Sequence, residues 1–273
     1  MSVVKALWVR NLKVFARNKP ALFFSLAVPF FFVFVFSRIF GSASMMLAGI
    51  VIANVFDVSL SISSNTIDDI TGGFMKEVLV SPVSRLTVAV GQFASAATVG
   101  TAQSFLIYLI GFFMGLRPAS PLTAVAAVLS MAFVGFVFSG FGLFIASKAK
   151  NMQTFQAVSM AITMPMTFLS GAYIPLSSLP APLQWVGRFN PMTYAVHFFR
   201  NLVMDARDER AEALLAAERE ILVFGDFAVT PAIALLILAA FGAVFLFLST
   251  MGFARMDFSK MSRGKAKGSD FWG

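Results

Sequence analysis

The chain has 273 residues, of which 58% are hydrophobic and only 12% are charged, and its formal net charge is +8. Soluble domains carry about 25% charged residues, so this composition excludes an ordinary soluble fold and indicates an integral membrane protein. The absence of cysteine excludes disulfides and thiolate metal sites. The basic residues lie beside apolar runs, which argues against a nucleic-acid-binding face.

Residues 1–20 are predicted to form an amphipathic helix that lies on the cytoplasmic surface of the membrane. Val4, Leu7, Trp8 and Leu12 recur at helical spacing, and basic residues occupy much of the remaining surface. A tryptophan beside basic residues is typical of a membrane–water interface. The regularity of the apolar stripe favours this helix over a solvated basic tail.

Six segments are long and apolar enough to cross a membrane, which takes about 20 residues in a helix. They cover residues 21–40, 45–66, 86–115, 121–147, 152–174 and 227–253. Their small residues allow close helix packing. The sequence therefore predicts an all-α integral membrane domain of six transmembrane helices over 21–253, followed by a basic cytoplasmic tail over 254–273.

The positions of the lysines predict the orientation in the membrane. Every lysine lies in the N-terminal stretch, in the loops after the second and fourth spans, or in the tail. Positively charged loops remain on the cytoplasmic side. Both termini are therefore expected in the cytoplasm, at the plasma or inner membrane.

Residues 68–84, between the second and third spans, form a short charged and amphipathic segment. Lys76, Glu77 and Arg85 provide charge, whereas Met75 and Leu79 give the segment an apolar side. An apolar side in a cytoplasmic loop needs a partner that covers it. The alternative is an ordinary solvated loop.

Residues 175–200 are too polar and too rich in proline to span, yet they retain many apolar side chains. We expect a re-entrant or interfacial helical hairpin on the outer side, because irregular backbone at that depth must be buried or face water. His197, the only histidine, is expected to have a structural role. Residues 205–220 are expected to form a short exposed helix with a solvated charged face.

Two polar stripes run along the predicted spans, and Asp57 is the one acid inside a span. An intramembrane acid is by default a functional candidate. Both stripes could line a translocation path or supply hydrogen bonds across a helix seam, and both interpretations stay open. For Asp57, the lack of a basic partner inside a span favours packing. The stripes comprise Asn54, Asp57 and Ser61 on the second span and Gln156, Ser159, Thr163 and Thr167 on the fifth.

No phosphate-binding loop or protease motif is present in the sequence. We therefore expect no catalytic residues, no metal site and no ATPase activity in this chain.

Two blocks of sequence resemble the ABC-2 type transporter permeases, which are the membrane subunits of ABC exporters of the daunorubicin and nodulation kinds. The first, GFMKEVLVSPVSR, covers residues 73–85. The second, FLSGAYIPLSSLP, covers 168–180 and continues through Asn190 and Pro191 to Arg200. With the six spans and the basic N-terminal helix, the resemblance extends over essentially the whole chain.

The resemblance implies a role for each predicted segment. Residues 68–84 would be the coupling helix that docks on an ABC ATPase subunit, and residues 3–18 would be a connecting helix beside it. The 175–200 hairpin would close an outer gate. The implied docking residues are Phe74, Met75, Lys76, Glu77, Leu79 and Arg85, and the implied gate residues are Pro175, Leu179, Asn190, Pro191, Tyr194 and Arg200.

The same resemblance implies a dimer, formed with a second copy or a related permease, that exports a hydrophobic or amphipathic substrate such as a drug-like molecule, a lipid or a glycan. ATP and Mg²⁺ would bind to the partner ATPase, and no cofactor or nucleic acid would bind to this chain. Membrane lipid is the remaining expected partner. The alternatives are an ion-coupled secondary transporter, for which only Asp57 is available, and a membrane scaffold without transport activity.

Overall fold

The computed structural model describes residues 19–71, 85–113, 120–149, 151–204 and 208–255, with isolated positions before residue 19 and between 113 and 120. These residues are almost entirely helical, and the one β-hairpin among them pairs Val223–Phe224 (β1) with Phe227–Ala228 (β2) in antiparallel fashion. The helices are α1 (Lys19–Phe40), α2 (Ala43–Thr71), α3 (Arg85–Phe113), α4 (Pro121–Lys148), α5 (Met152–Leu169), α6 (Ala181–Arg188), α7 (Pro191–Val203), α8 (Glu209–Ile221) and α9 (Pro231–Arg255).

Each predicted apolar segment corresponds to one long helix, namely α1 to α5 and α9. Within the described part of the chain, four stretches are long and apolar enough to cross a membrane, and α1 contains a shorter apolar stretch, Ala27–Phe40. The prediction of a helical integral membrane protein is confirmed at this level. The four stretches are Ala43–Asn65, Ala89–Phe113, Pro121–Lys148 and Pro231–Gly252.

Three helix boundaries differ from the predicted spans by four or more residues. α2 continues to Thr71, five residues beyond the predicted end at residue 66. α5 ends at Leu169, five positions before the predicted residue 174, because Gly171 adopts a left-handed backbone conformation with φ of 86° and turns the chain. α9 begins at Pro231, not at 227, since residues 227–228 are paired in the hairpin. Proline suits the first turn of a helix because its missing N–H has no intrahelical partner there.

α2 is the central helix of the bundle. It contacts α1, α3, α4, α5, α7 and α8. Its buried side chains include Phe56, whose ring meets the ring of Phe138 on α4 at a centroid distance of 4.7 Å. By contrast, α9 exposes Leu236, Val244 and Phe247, as expected for a helix that faces lipid.

Residues 170–228 pack as short elements over one end of the bundle, which we call the hairpin end. They comprise a 3₁₀ turn at Leu176–Ser178, then α6, α7, α8 and the β-hairpin. α7 is the buried member of the group and contacts α2, α4 and α9. The expected exposed helix is present as α8, but it is not solvated on all sides, because Ala211, Leu215 and Glu218 are buried.

Candidate functional site

α2 has two exposed polar residues on a surface that is otherwise covered by neighbouring helices. From Ser44 to Ser63 every residue is buried except Asp57 and Ser61, which are both exposed. They lie four positions apart and so share one face of the helix. We call this pair the polar opening. The uncovered strip of the central helix is therefore polar, although the helix itself is apolar.

The carboxylate of Asp57 has no hydrogen bond or ion pair with any residue that the structure describes. A charge at mid-bilayer costs about 2.5–3.5 kcal/mol on insertion scales, and such groups usually face a cavity, a partner charge or a ligand. The packing role that the sequence favours for Asp57, across a dimer seam or a seam of the bundle, stays a prediction.

Asn54 lies one turn away from the polar opening but has a different environment. Its side chain is buried, and its Oδ1 accepts a hydrogen bond of 3.0 Å from the hydroxyl of Ser104 on α3. This contact joins α2 to α3. Of the predicted polar stripe on α2, the structure thus places Asn54 in a helix seam and exposes Asp57 and Ser61.

The predicted polar stripe on α5 is also divided. Gln156 is exposed, Thr163 is half-buried, and Ser159 and Thr167 are buried. The Thr163 hydroxyl donates to the backbone carbonyl of Ser159 at 2.8 Å. The hydroxyl of Ser159 is buried and has no hydrogen-bond partner among the described residues. Gln156 is therefore the exposed member of this stripe, and the translocation role of the stripe stays a prediction.

α2 and the turn after α5 meet in a close backbone contact. A Cβ atom added to Gly49 would lie 2.2 Å from the carbonyl oxygen of Ala172, so no larger residue fits without a shift. Further from this contact, α5 exposes Gln153, Val158 and Met160. α5 is therefore held at the hairpin end and leaves a long, partly apolar face without cover from the described chain.

Aromatic side chains surround the junction between α1 and the turn after α5. The ring of Tyr173 lies 4.6 Å from that of Phe32, 6.4 Å from that of Phe36 and 5.4 Å from that of Phe168. We call these four residues the aromatic cluster. The aromatic cluster therefore joins α1 to the turn that follows α5.

A buried ionic cluster joins the hairpin end to the bundle. Arg200 is fully buried and donates from Nη1 to Glu218 Oε2 at 2.6 Å and from Nη2 to the carbonyl oxygens of Gly171 at 2.6 Å and Met45 at 3.3 Å. Nδ1 of His197 lies 3.3 Å from Glu218 Oε1. Burial acts to raise the pKa of Glu218, but Arg200 and His197 outweigh it and hold the pKa below its ordinary value of 4.5.

α8 is fastened to the start of α2 by its own first turn. Asp208 caps the helix by accepting from the Ala211 N–H at 3.0 Å, and its other oxygen accepts from the Ser44 hydroxyl at 2.6 Å. Arg210 donates from Nε to the Phe40 carbonyl at 3.3 Å. Asp208 and Arg210 therefore attach the start of α8 to the junction between α1 and α2.

The predicted gate residues shape the hairpin by local hydrogen bonds. Asn190 accepts from the Met192 N–H at 3.0 Å, which caps α7, and donates from Nδ2 to the Met166 carbonyl at 2.6 Å. The Tyr194 hydroxyl donates to the carbonyl of Arg188. Pro191 occupies the first turn of α7, and Pro175 and Leu179 flank the 3₁₀ turn.

An apolar groove of about 330 Å³ runs beside the hairpin, between α4, α5 and α9. Asn190 is its one polar lining residue, and both ends of that side chain are already hydrogen-bonded. The groove therefore suits hydrocarbon. Its other lining residues are Phe141, Pro165, Met166, Leu169, Val186, Phe189, Pro191, Phe241 and Phe245.

The predicted docking segment lies outside the described residues. This concerns Phe74, Met75, Lys76, Glu77 and Leu79, while Arg85 is the first residue of α3.

The N-terminal stretch is seen at isolated positions, where the Trp8 indole donates to the Thr98 hydroxyl on α3 at 2.9 Å. Leu12 packs against a small cluster of buried side chains on α2 and α3. The predicted interfacial residue Trp8 thus contacts the helix bundle directly.

Sequence reasoning missed Glu218 as a structural residue. It interpreted the charges of this segment as a solvated face, which holds for Glu212 and Arg219, whose exposed pair is 3.0 Å long. The spacing did indicate that Glu218 lies on the apolar face of the helix, because Ala211, Leu215 and Glu218 are at positions i, i+4 and i+7. An acid on that face needs a buried base, and only the fold identifies Arg200 as that base.

A helical membrane protein with a polar opening on its most buried helix has the arrangement that membrane transport proteins use. Residues 2–204 match the ABC-2 type transporter family, and the chain belongs to that family.

Similar proteins have names that agree with this family. The putative transport permease ycf38 of Cyanophora paradoxa is 29% identical, with 56% of this chain and 53% of the relative covered. Nodulation protein J of Rhizobium leguminosarum bv. viciae is 26% identical over 45% of this chain and 47% of its own length. The probable multidrug ABC transporter permease YbhR of Escherichia coli K12 is 28% identical over 45% of this chain and 33% of its own length. The matches span about half or less of these relatives.

Proposed function

We propose that this chain is the permease subunit of an ATP-binding-cassette exporter and forms, with a second permease, the translocation path for a hydrophobic or amphipathic substrate. The match of residues 2–204 to the ABC-2 type transporter family carries the proposal. Two relatives bear the name of transport permease or ABC transporter permease. An exposed carboxylate on the central helix supports transport over a scaffold role, because a scaffold has no use for it.

In this proposal all six long helices span the membrane and both termini lie in the cytoplasm. The lysine distribution supports the orientation, since the described lysines Lys5, Lys13, Lys19 and Lys148 all lie away from the hairpin end. The hairpin end then faces outward. The α6–α7 turn is re-entrant, which is supported by Pro191 sharing the apolar groove with Phe241, ten residues into α9 and so about 15 Å along it.

The second permease covers the faces that the single chain leaves open. α5 exposes much of its length, and α1 exposes Phe24, Phe31 and Phe34. A path at this seam would be lined by the polar opening and Gln156.

A separate ATPase subunit, which binds ATP and Mg²⁺, would drive the change of access. Residues 68–84 are the proposed coupling helix, with Phe74, Met75, Lys76, Glu77, Leu79 and Arg85 as contacts. Nucleotide-driven movement of the motor would displace this segment and tilt the helices attached to it, α2 and α3.

The test is purification from native membranes, with the bound subunits identified by mass spectrometry and ATP hydrolysis measured. We expect an ATPase subunit to co-purify with the wild type and to be lost in Glu77→Lys and Leu79→Asp. Asp226→Lys, which makes the same charge change in the exposed β-turn, is the matched control and should retain the partner. A chain that purifies alone would refute the proposal, and an ATPase retained in both docking variants would refute residues 68–84 as the docking segment. Transport driven by an ion gradient and dependent on Asp57 would then favour the secondary transporter.

A further inference from the structure

We propose that the apolar groove and Arg188 together bind one anionic phospholipid, with an acyl chain in the groove and the phosphate on the Arg188 guanidinium. The lipid belongs to the leaflet at the hairpin end. It is a bound partner of the chain and not the transported substrate, so the inference goes beyond the proposed function.

The positive charge of Arg188 has no counter-ion among the described residues. Its side chain is half-buried and forms no hydrogen bond or ion pair with them, and its Nε is buried without an acceptor. Asp226, in the β-turn after Phe224, forms no ion pair with it. A guanidinium carries five N–H donors in a plane that matches the oxygens of a phosphate. An anionic phosphate therefore supplies the partner that the described chain does not.

Contacts within the hairpin end place the guanidinium beside the mouth of the groove. Arg188 Cζ lies 5.7 Å from the centroid of the Phe224 ring, and that centroid lies 6.4 Å from the centroid of the Phe189 ring. Phe189 lines the groove and directly follows Arg188 in the chain. The Tyr194 hydroxyl donates to the Arg188 carbonyl and so holds the end of α6 in place. The head group and one acyl chain of a single lipid can therefore occupy both parts of the site.

The groove has the direction and the lining that an acyl chain needs. It begins at the hairpin end, with Leu169 at the end of α5 and Phe189 after α6. It extends to Phe245, fourteen residues into α9 and so about 21 Å along that helix. Its one polar lining residue, Asn190, is already hydrogen-bonded at both ends of its side chain. Hydrocarbon can therefore fill the groove without leaving a polar group unpaired.

The side chains around Arg188 indicate that the anion is a lipid. Trp185 and Phe189 are both exposed at the hairpin end, with their ring centroids 4.8 Å apart. Exposed aromatic rings of this kind are typical of the membrane–water interface. A soluble anion would use the guanidinium alone, whereas a lipid also uses the apolar groove that leads away from it.

The groove lies on a different side of the bundle from the face that we assign to the second permease. On α5, Pro165 and Leu169 line the groove, and they are about half a turn around the helix from Gln156. On α9, Phe245 lines the groove, and the adjacent Val244 is exposed as expected for a lipid-facing residue. The groove is therefore continuous with the lipid-facing surface of α9.

The experiment measures lipid binding to the purified, delipidated chain in neutral detergent by native mass spectrometry. Dioleoyl phosphatidylglycerol is compared with dioleoyl phosphatidylcholine, which has the same acyl chains and no net charge. We expect one phosphatidylglycerol per chain to bind saturably, roughly fivefold or more tightly than phosphatidylcholine. Glycerol 3-phosphate, which carries the anion without the acyl chains, should not displace it.

Arg188→Gln should abolish the preference for phosphatidylglycerol, and Arg188→Lys should keep part of it, because lysine keeps the charge but not the planar donors. Arg38→Gln is the matched control and should bind like the wild type, since Arg38 is exposed and also lies over a phenylalanine ring, at 5.9 Å. Val186→Trp should weaken binding of both lipids because it fills the groove. Leu183→Trp, at an exposed position of the same helix outside the groove, should not.

Equal affinity of the wild type for the two lipids overturns the inference, as does a preference that survives Arg188→Gln or is lost equally in Arg38→Gln. Displacement by glycerol 3-phosphate would identify a soluble anion as the ligand and overturn it as well. Unchanged binding in Val186→Trp would exclude the groove. Thermal unfolding shows whether each variant is folded. Since lipid binding is measured on the chain alone, its outcome is separate from the presence or absence of an ATPase subunit.

Discussion

Two acidic groups in this chain occupy opposite situations. Glu218 is buried at the hairpin end, where Arg200 and His197 contact both of its oxygens. Asp57 is on the central helix, exposed, and without a partner among the described residues. Both are costly to keep away from bulk water, but only Glu218 is compensated inside the chain.

The two environments indicate different roles for the two acids, a structural role for Glu218 and a functional role for Asp57. Glu218 stabilises the fold through its ion pair with Arg200, which joins α8 to α7. Arg200 also donates hydrogen bonds to the carbonyl oxygens of Gly171 and Met45. Asp57 stabilises nothing that the described chain contains. A residue that is costly and is not compensated by the fold is expected to be compensated by a ligand or partner.

The largest expected effect is that of Glu218→Gln. The change leaves Arg200 buried without its counter-ion, and breaking a buried pair in this way costs about 3–5 kcal/mol of unfolding free energy. Thermal unfolding of the detergent-solubilised protein, followed by tryptophan fluorescence, measures it. The matched control is Glu212→Gln, which removes an exposed pair with Arg219 and should cost less than about 1 kcal/mol. Equal losses in the two variants would contradict the structural role of Glu218.

A smaller effect is expected for Gly49→Ala. The new Cβ would lie 2.2 Å from the Ala172 carbonyl oxygen, so α5 must move away from α2, at a cost of about 1–3 kcal/mol. Gly140→Ala is the control, since its Cβ would be 3.5 Å or more from its neighbours. If the two alanine variants unfold at the same temperature, the close contact does not hold α5 in place.

The contribution of Glu218 should depend on pH. Its pKa is lowered in the folded protein, so the stability that it provides is present above its ordinary value of 4.5 and is lost as the pH falls through the lower folded value. The difference in unfolding temperature between the wild type and Glu218→Gln should therefore shrink as the pH falls below about 4.5. A difference that widens in acid would reverse the assigned sign.

The smallest effect on stability is expected for Asp57→Asn. No described residue loses a partner, so the unfolding free energy should change by less than about 0.5 kcal/mol, or increase. The same thermal assay measures it beside Glu218→Gln. A destabilisation as large as that of Glu218→Gln would show that Asp57 is a structural residue and remove the contrast between the two acids.

Composition and the lengths of the apolar runs are enough to assign the class of the protein and the positions of its long helices. Apolar runs of sufficient length have to form helices in a bilayer, because every backbone polar group needs an internal partner. Local signals also fixed several helix starts, such as Ser120, whose side chain accepts from the N–H of Thr123, and Asn190 before Pro191. These features depend on residues that are close in the chain.

Which polar residues are buried and which are exposed became visible only in the folded chain. Asn54 and Asp57 share a helix and a polar pattern, yet Asn54 is hydrogen-bonded to Ser104, fifty residues away in sequence, whereas Asp57 has no hydrogen bond or ion pair with a described residue. Glu218 and Arg219 are adjacent, and one is buried while the other is exposed. Burial is set by the packing of distant elements, so the spacing of residues along one helix identifies a face but not what covers it.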